Sequence, residues 1–129
     1  MRTFKVLIVE DEEYNRNFYR QVLEEKKYLV DAAATLAEGR EKCESAQPDL
    51  VLLDLKFDRK ESDEGLHFLK RIRKANPQIE VVVISGSRRD STKIKAILEF
   101  GAFDYLEKPI RRDVLLLVVN RAQERIRLN

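Results

Sequence analysis

Four short runs along the chain carry little or no polar interruption, and each ends at chemically loaded residues. Val6-Leu7-Ile8-Val9 ends at Glu10-Asp11, Leu50-Val51-Leu52-Leu53 at Asp54, and Val81-Val82-Val83-Ile84 at Ser85-Gly86. The shorter Phe103-Asp104-Tyr105-Leu106 ends at Glu107-Lys108-Pro109. Short runs that are apolar without alternation are the signature of strands covered on both faces, as in a parallel sheet. Between them the apolar spacing changes to the helical period. Tyr14, Phe18 and Val22 recur every fourth position in a helix expected over about 13–26, after a first strand over about 4–9. A weaker second strand is expected at about 28–33. Thr35-Leu36-Ala37-Glu38 then reads as a capping box opening the second helix, which Gln47-Pro48-Asp49 stops. The third helix is placed at about 65–74 with Leu66, Leu69 and Ile72 inward, ended by Asn76-Pro77. Asp90 or Ser91 is expected to cap the fourth, with Ile94, Ile97 and Leu98 inward and Gly101 as its stop. The last helix runs from about Arg112 to the end. Five strands alternating with five helices imply an α/β fold, a doubly wound parallel sheet with helices on both faces.

In such sheets ligands bind beyond the carboxyl ends of the strands. The polar residues that end the runs should therefore meet at one edge. Helix N-terminal charge accounts well for Glu12 and Glu13, but less well for Glu10 and Asp11, which sit where the strand emerges. With Asp54 from a neighbouring strand they make a set of hard oxygen donors suited to magnesium. Asp54 alone could be a turn former. Near other acids, with a cation and Lys108 opposite, it is placed to attack a phosphoryl donor in line. Ser85 could simply end a strand. In the functional reading its hydroxyl donates to a phosphoryl oxygen, and Tyr105 rotates inward to fill the space behind it. A cis Lys108-Pro109 bond would turn the chain sharply and aim the ammonium inward.

Length and charge narrow the function classes. A chain of 129 residues is read as one domain able to bury a core. With 43% apolar and 37% charged residues it reads as globular and heavily charged, yet the net charge is only +2. That argues against a dedicated nucleic-acid binder. The single cysteine, Cys43, permits no internal disulfide and no thiolate metal site. Met1 to Lys5 lack the long apolar stretch and cleavage site of a signal peptide, and the longest apolar run, Val114 to Val119, is far short of the roughly 20 residues of a membrane span. A cytoplasmic setting with no membrane partner is expected.

Taken in order and spacing, the segments Val6–Glu12, Pro48–Asp54, Val83–Gly86 and Gly101–Pro109 resemble the receiver domain of bacterial two-component response regulators over essentially the full chain. The resemblance implies a flavodoxin-like (CheY-like) sheet of order 2-1-3-4-5. It implies Asp54 as phosphoacceptor from a sensor histidine kinase or a phosphotransfer protein, with Mg2+ or Mn2+ as cofactor. Glu10 and Asp11 match the acidic pair that holds the cation, and the Lys56 backbone carbonyl falls at the remaining protein ligand. Ser85 and Tyr105 match the switch pair, and Lys108 matches the lysine that contacts the phosphoryl group. Lys56 and Ser87 occupy positions that tune dephosphorylation. Such a domain is a regulatory phosphoacceptor, catalysing only its own phosphorylation and dephosphorylation. Ile84-Ser85-Gly86, Tyr105–Pro109 and Leu115–Val119 look like the receivers of nitrogen-regulation-type AAA+ transcription activators, so 1–129 could be the N-terminal part of a longer regulator. The alternative class is an unphosphorylated adaptor that keeps only the fold. No glycine-rich phosphate loop or dinucleotide fingerprint supports a third, small-molecule-binding class.

One departure from the family stands beside Asp54. The loop 55–64 is longer than usual and crowded with Lys56, Asp58, Arg59, Lys60, Glu61, Asp63 and Glu64. A solvated loop is the plain reading; shielding of the phosphoryl site, or contact with a partner, is the functional one. In the last helix Leu115, Val118, Ala122 and Ile126 suffice to cover the sheet, which leaves Leu116, Leu117 and Val119 as surplus apolar surface. Phosphorylation is expected to shift an equilibrium toward a form that dimerises, or engages an output partner, through helix 4, strand 5 and helix 5. His67 and Cys43 are read as structural or surface residues, and the arginines of the last helix as a solvated face.

Overall fold

The structure, a computed structural model, describes residues 3–55, 64–86 and 90–128. The elements in chain order are β1 (Lys5–Val9), α1 (Glu13–Glu25), β2 (Leu29–Ala33), α2 (Leu36–Ser45) and β3 (Leu50–Asp54). They continue with α3 (Glu64–Ala75), β4 (Glu80–Ser85), α4 (Asp90–Ile94, running on into a π-helical turn, Lys95–Glu99), β5 (Asp104–Glu107) and α5 (Arg112–Leu128). Among the described residues the five strands form one sheet of order β2-β1-β3-β4-β5, parallel throughout. This is the expected order. Every residue of β3 and β4 is buried, because these strands lie inside the sheet and are covered on both faces. The edge strand β2 alternates in exposure instead, which is why its sequence signal is weak.

Two hydrophobic layers sandwich the sheet. Alternate strand residues Val6, Ile8, Leu50, Leu52, Val82 and Ile84 pack under α1 and α5. Their neighbours Leu7, Val9, Val51, Leu53, Val81 and Val83 pack under α2, α3 and α4. The Thr35 hydroxyl accepts from the Glu38 amide at 3.1 Å, the first half of the expected capping box. Gly101 sits at φ +78° after the π turn, a conformation that costs a side-chain-bearing residue more than glycine. Among the described residues, no helix is long and apolar enough to cross a membrane.

Three helix-face expectations fail. Ile94 and Leu98 are not inward; they are 52% and 77% exposed, and Ala96 is the fully buried residue of that helix. The π turn is the reason: it inserts extra residues per turn, so the inward face no longer follows the α period. Tyr14, expected on the inward face of α1, is exposed, and Tyr19, Val22 and Leu23 carry that contact. Val119 is not surplus but fully buried, Leu116 is partly buried, and Leu117 remains exposed. The capping role of Asp90 or Ser91, the loop 56–63 with Lys56, and Ser87 lie outside what the structure describes.

Candidate functional site

The sheet register brings the polar run-ends together. Val9 pairs with Leu53, Asp54 with Ile84, and Ser85 with Glu107. Glu10 therefore emerges beside Asp54, with Ser85 next and Lys108 just beyond the end of β5. The chain order turns back between β1 and β3, so this edge is the topological switch point of the sheet.

The Lys108 ammonium donates to Asp54 Oδ2 at 2.6 Å and lies 3.7 Å from Glu10 Oε1. The Lys108-Pro109 bond is cis, as expected, and the Lys108 amide donates to the Ser85 carbonyl at 2.8 Å. Glu10 and Asp54 are buried, whereas Asp11 is exposed. One carboxylate oxygen from each of Glu10, Asp11 and Asp54 lies within 4.8 Å of the others. Ser85 is buried at the same edge. Tyr105 is buried as well, so its ring is already inward rather than waiting to rotate. His67 is exposed. Cys43 is fully buried, and burial pushes its thiol up to about 11, so it stays neutral and takes no part here.

The three carboxylates fit a divalent cation. Glu10 Oε2 accepts from the Glu12 amide at 2.9 Å, but Oε1, fully buried, has no hydrogen-bond partner among the described residues. A buried carboxylate oxygen without a donor is costly unless a proton or a cation meets it. Burial first, and then the adjoining Asp54 carboxyl, push the Glu10 carboxyl up to about 8; the Glu12 amide and the Lys108 charge oppose this without cancelling it. Two carboxylates plus a third at the rim, all oxygen, match what magnesium takes from protein while keeping its waters.

The raised Glu10 pKa has a sign that can be measured. Between the ordinary 4.5 and about 8, the folded chain holds a proton that the unfolded chain has released. Raising the pH through this window therefore favours unfolding. In chelator, stability should fall by on the order of 4 kcal/mol between about pH 4.5 and pH 8 from this group alone. Glu10→Gln should flatten the slope, and urea unfolding of both proteins at several pH values checks it. A parent and variant with the same slope would contradict the shift.

Sequence reasoning missed one residue of this edge. Arg16, on the first turns of α1, folds back so that Nη1 donates to the carbonyls of Glu10 (2.9 Å) and Asp11 (3.3 Å). A polar residue in an amphipathic helix gives no sign that it reaches back to the preceding loop.

Comparison with known proteins places the chain in a family. Residues 6–120 match the response regulator receiver domain family. The chain is 35% identical over 124 residues to a putative response regulator, NtrX-like, of Rickettsia bellii, covering 96% of this chain and 26% of that protein. It is 39% identical over 104 residues to the KDP operon transcriptional regulatory protein KdpE of Escherichia coli, covering 81% of this chain and 44% of that one. Among solved structures, the receiver domain of NtrX from Brucella abortus superposes with a TM-score of 0.83 at 34% identity, covering 92% of this chain and 98% of that one. The chain spans about a quarter of the length of the NtrX-like relatives it matches.

Proposed function

The chain belongs to the response regulator receiver domain family, and from that premise we propose that it accepts a phosphoryl group on Asp54 from a histidine kinase or a phosphotransfer protein. The observation that carries this is the 2.6 Å contact of the Lys108 ammonium with Asp54, inside a pocket that also gathers Glu10 and Asp11. An Asp54 oxygen attacks phosphorus in line. The new P–O bond forms as the P–N bond to a donor histidine, or the P–O bond of an acyl phosphate, breaks, and the leaving imidazole or carboxylate takes the electron pair. Lys108 then turns to the transferred oxygens, and the Ser85 hydroxyl donates to one of them. Glu10, Asp11 and Asp54 would hold magnesium, with the Lys56 carbonyl as a further ligand by family resemblance. When bound, the cation neutralises the carboxylates and the phosphoryl oxygens. Hydrolysis by water later clears the group, at a rate that Lys56 and Ser87 would tune.

Incubation with Mg2+ and a small acyl phosphate tests the proposal. A mass gain of one phosphoryl group on the Asp54 peptide is expected, abolished by chelator. No gain from any donor would favour the adaptor alternative.

The proposed output uses apolar residues exposed on α4 and α5. Ile94, Leu98 and Leu117 are exposed on α4 and α5, at 52%, 77% and 58%. Phosphorylation adds roughly −1.5 to −2 charge at Asp54. It would hold Ser85 and the inward Tyr105 in one setting and favour a form that pairs with a second copy, or an output partner, through α4, β5 and α5. Sedimentation with and without a phosphoryl mimic should show a shift toward dimer; identical profiles would remove dimer control from the proposal. In a longer regulator this would serve transcription control.

A further inference from the structure

Two of the three pocket carboxylates sit on the β1–α1 loop, beyond the last pairs of β1 with its neighbours (Val9 with Ala33, and Val9 with Leu53). The sheet still takes the Glu10 amide, which donates to the Ala33 carbonyl at 3.0 Å. The carbonyls of Glu10 and Asp11 are met by Arg16 instead, both by the same nitrogen. The loop is thus held from two sides. The Glu12 amide holds the Glu10 side chain through Oε2, and the Arg16 guanidinium holds the backbone that carries Glu10 and Asp11. Arg16 is itself half-buried, and its own amide donates to the Glu12 carbonyl at 3.0 Å, so the donor stands on the first turn of the helix it opens.

We propose that Arg16 is a positioning residue for the cation: by bridging the two carbonyls it presets the directions in which the Glu10 and Asp11 carboxylates leave the backbone. The inference rests on the magnesium reading given above. Its physical basis is preorganisation. Hydrogen bonds from a charged donor are about twice as strong as neutral ones. A loop already ordered does not have to be ordered by the ligand. The guanidinium acts here through carbonyl oxygens, while the cation would meet carboxylate oxygens. Arg16 therefore sets the geometry of the site without being a ligand. Both bonds come from one nitrogen whose two N–H groups the planar guanidinium holds in fixed directions; an ammonium is a compact point charge on a flexible stem and fits this bridging less well.

Titration calorimetry with Mg2+ on the parent, Arg16→Met and Arg16→Lys provides the test, alongside the rate of phosphoryl uptake from an acyl phosphate at rising Mg2+. Arg16→Met keeps the apolar stem and removes every donor. It should bind Mg2+ about tenfold more weakly, while its uptake rate at saturating Mg2+ stays within about twofold of the parent. Arg16→Lys should fall between. A role confined to stability would lower the melting temperature and leave Mg2+ affinity unchanged; that result overturns the inference, as does an uptake rate that saturating Mg2+ fails to restore. If Arg16→Met does not fold, Arg16→Lys decides: weaker Mg2+ binding than the parent supports the inference, and parental binding overturns it. A parent that binds no Mg2+ overturns the underlying magnesium reading, and this inference with it.

Discussion

Asp54→Asn should take up no phosphoryl group from any donor, yet it should fold, and in chelator at alkaline pH it should be more stable than the parent. The first part follows from chemistry. An amide lacks the anionic oxygen that attacks phosphorus, and among the acids of the pocket Asp54 is the one in direct contact with Lys108 at 2.6 Å. The second part follows from charge. Asp54 helps push the Glu10 carboxyl up, through contact and through like-charge repulsion. Without it, Glu10 keeps Lys108, 3.7 Å away, and faces one carboxylate fewer, so its ionised form becomes easier to hold. The lost Lys108–Asp54 pair offsets part of this, leaving a gain of about 1 kcal/mol. Mass spectrometry after acyl phosphate treatment and urea unfolding in chelator read the two halves separately. Persistent uptake would move the acceptor elsewhere, and a marked loss of stability would show that Asp54 is primarily a structural partner of Lys108.

Lys108→Ala should behave in the opposite sense. It strips the pocket of its ammonium and leaves Glu10 and Asp54 buried beside Asp11. Removing one partner of a buried ion pair costs about 3 kcal/mol, because the abandoned charge stays out of water. That loss should appear in chelator near neutral pH. Mg2+ should recover most of it, and the rise in melting temperature on adding Mg2+ should exceed the parent's, since the cation meets three acids and no competing ammonium. Phosphoryl uptake should nevertheless stay at least tenfold slow at saturating Mg2+, because nothing replaces the ammonium on the transferring oxygens. Thermal unfolding with and without Mg2+ gives the first comparison and uptake kinetics the second. A variant as stable as the parent in chelator would mean that solvent already screens the Lys108 contacts.

How much of the protein can be read from its sequence depends on how local the cause is. The strands β3 and β4 are legible because both of their faces are covered, so each position reports burial directly. The edge strand β2 is faint because one side of its environment is water. Asp54, Lys108 and the pair Glu10–Asp11 are legible because each stands at or just past a strand end, and parallel sheets gather strand ends. The outward turn of Ile94 and Leu98 was not legible. The π turn at Lys95–Glu99 shifts the inward face of α4, and the apolar period carries no trace of it. The burial of Val119 is not legible for a related reason: the width of the buried stripe on α5 depends on the surfaces it packs against, which the helix period does not report.

By itself the sequence determined the alternation of strand and helix, the edge of the sheet where chemistry collects, and the residue types gathered there, since these follow from periodicity and from the ends of runs. Only the tertiary structure decided that Glu10 is buried while Asp11 faces solvent, that Lys108 touches Asp54, and that Arg16 reaches back to the loop carrying both acids. Those depend on angles between elements far apart in the chain. Burial and hydrogen bonding are set by what arrives from elsewhere, not by a residue's neighbours in sequence.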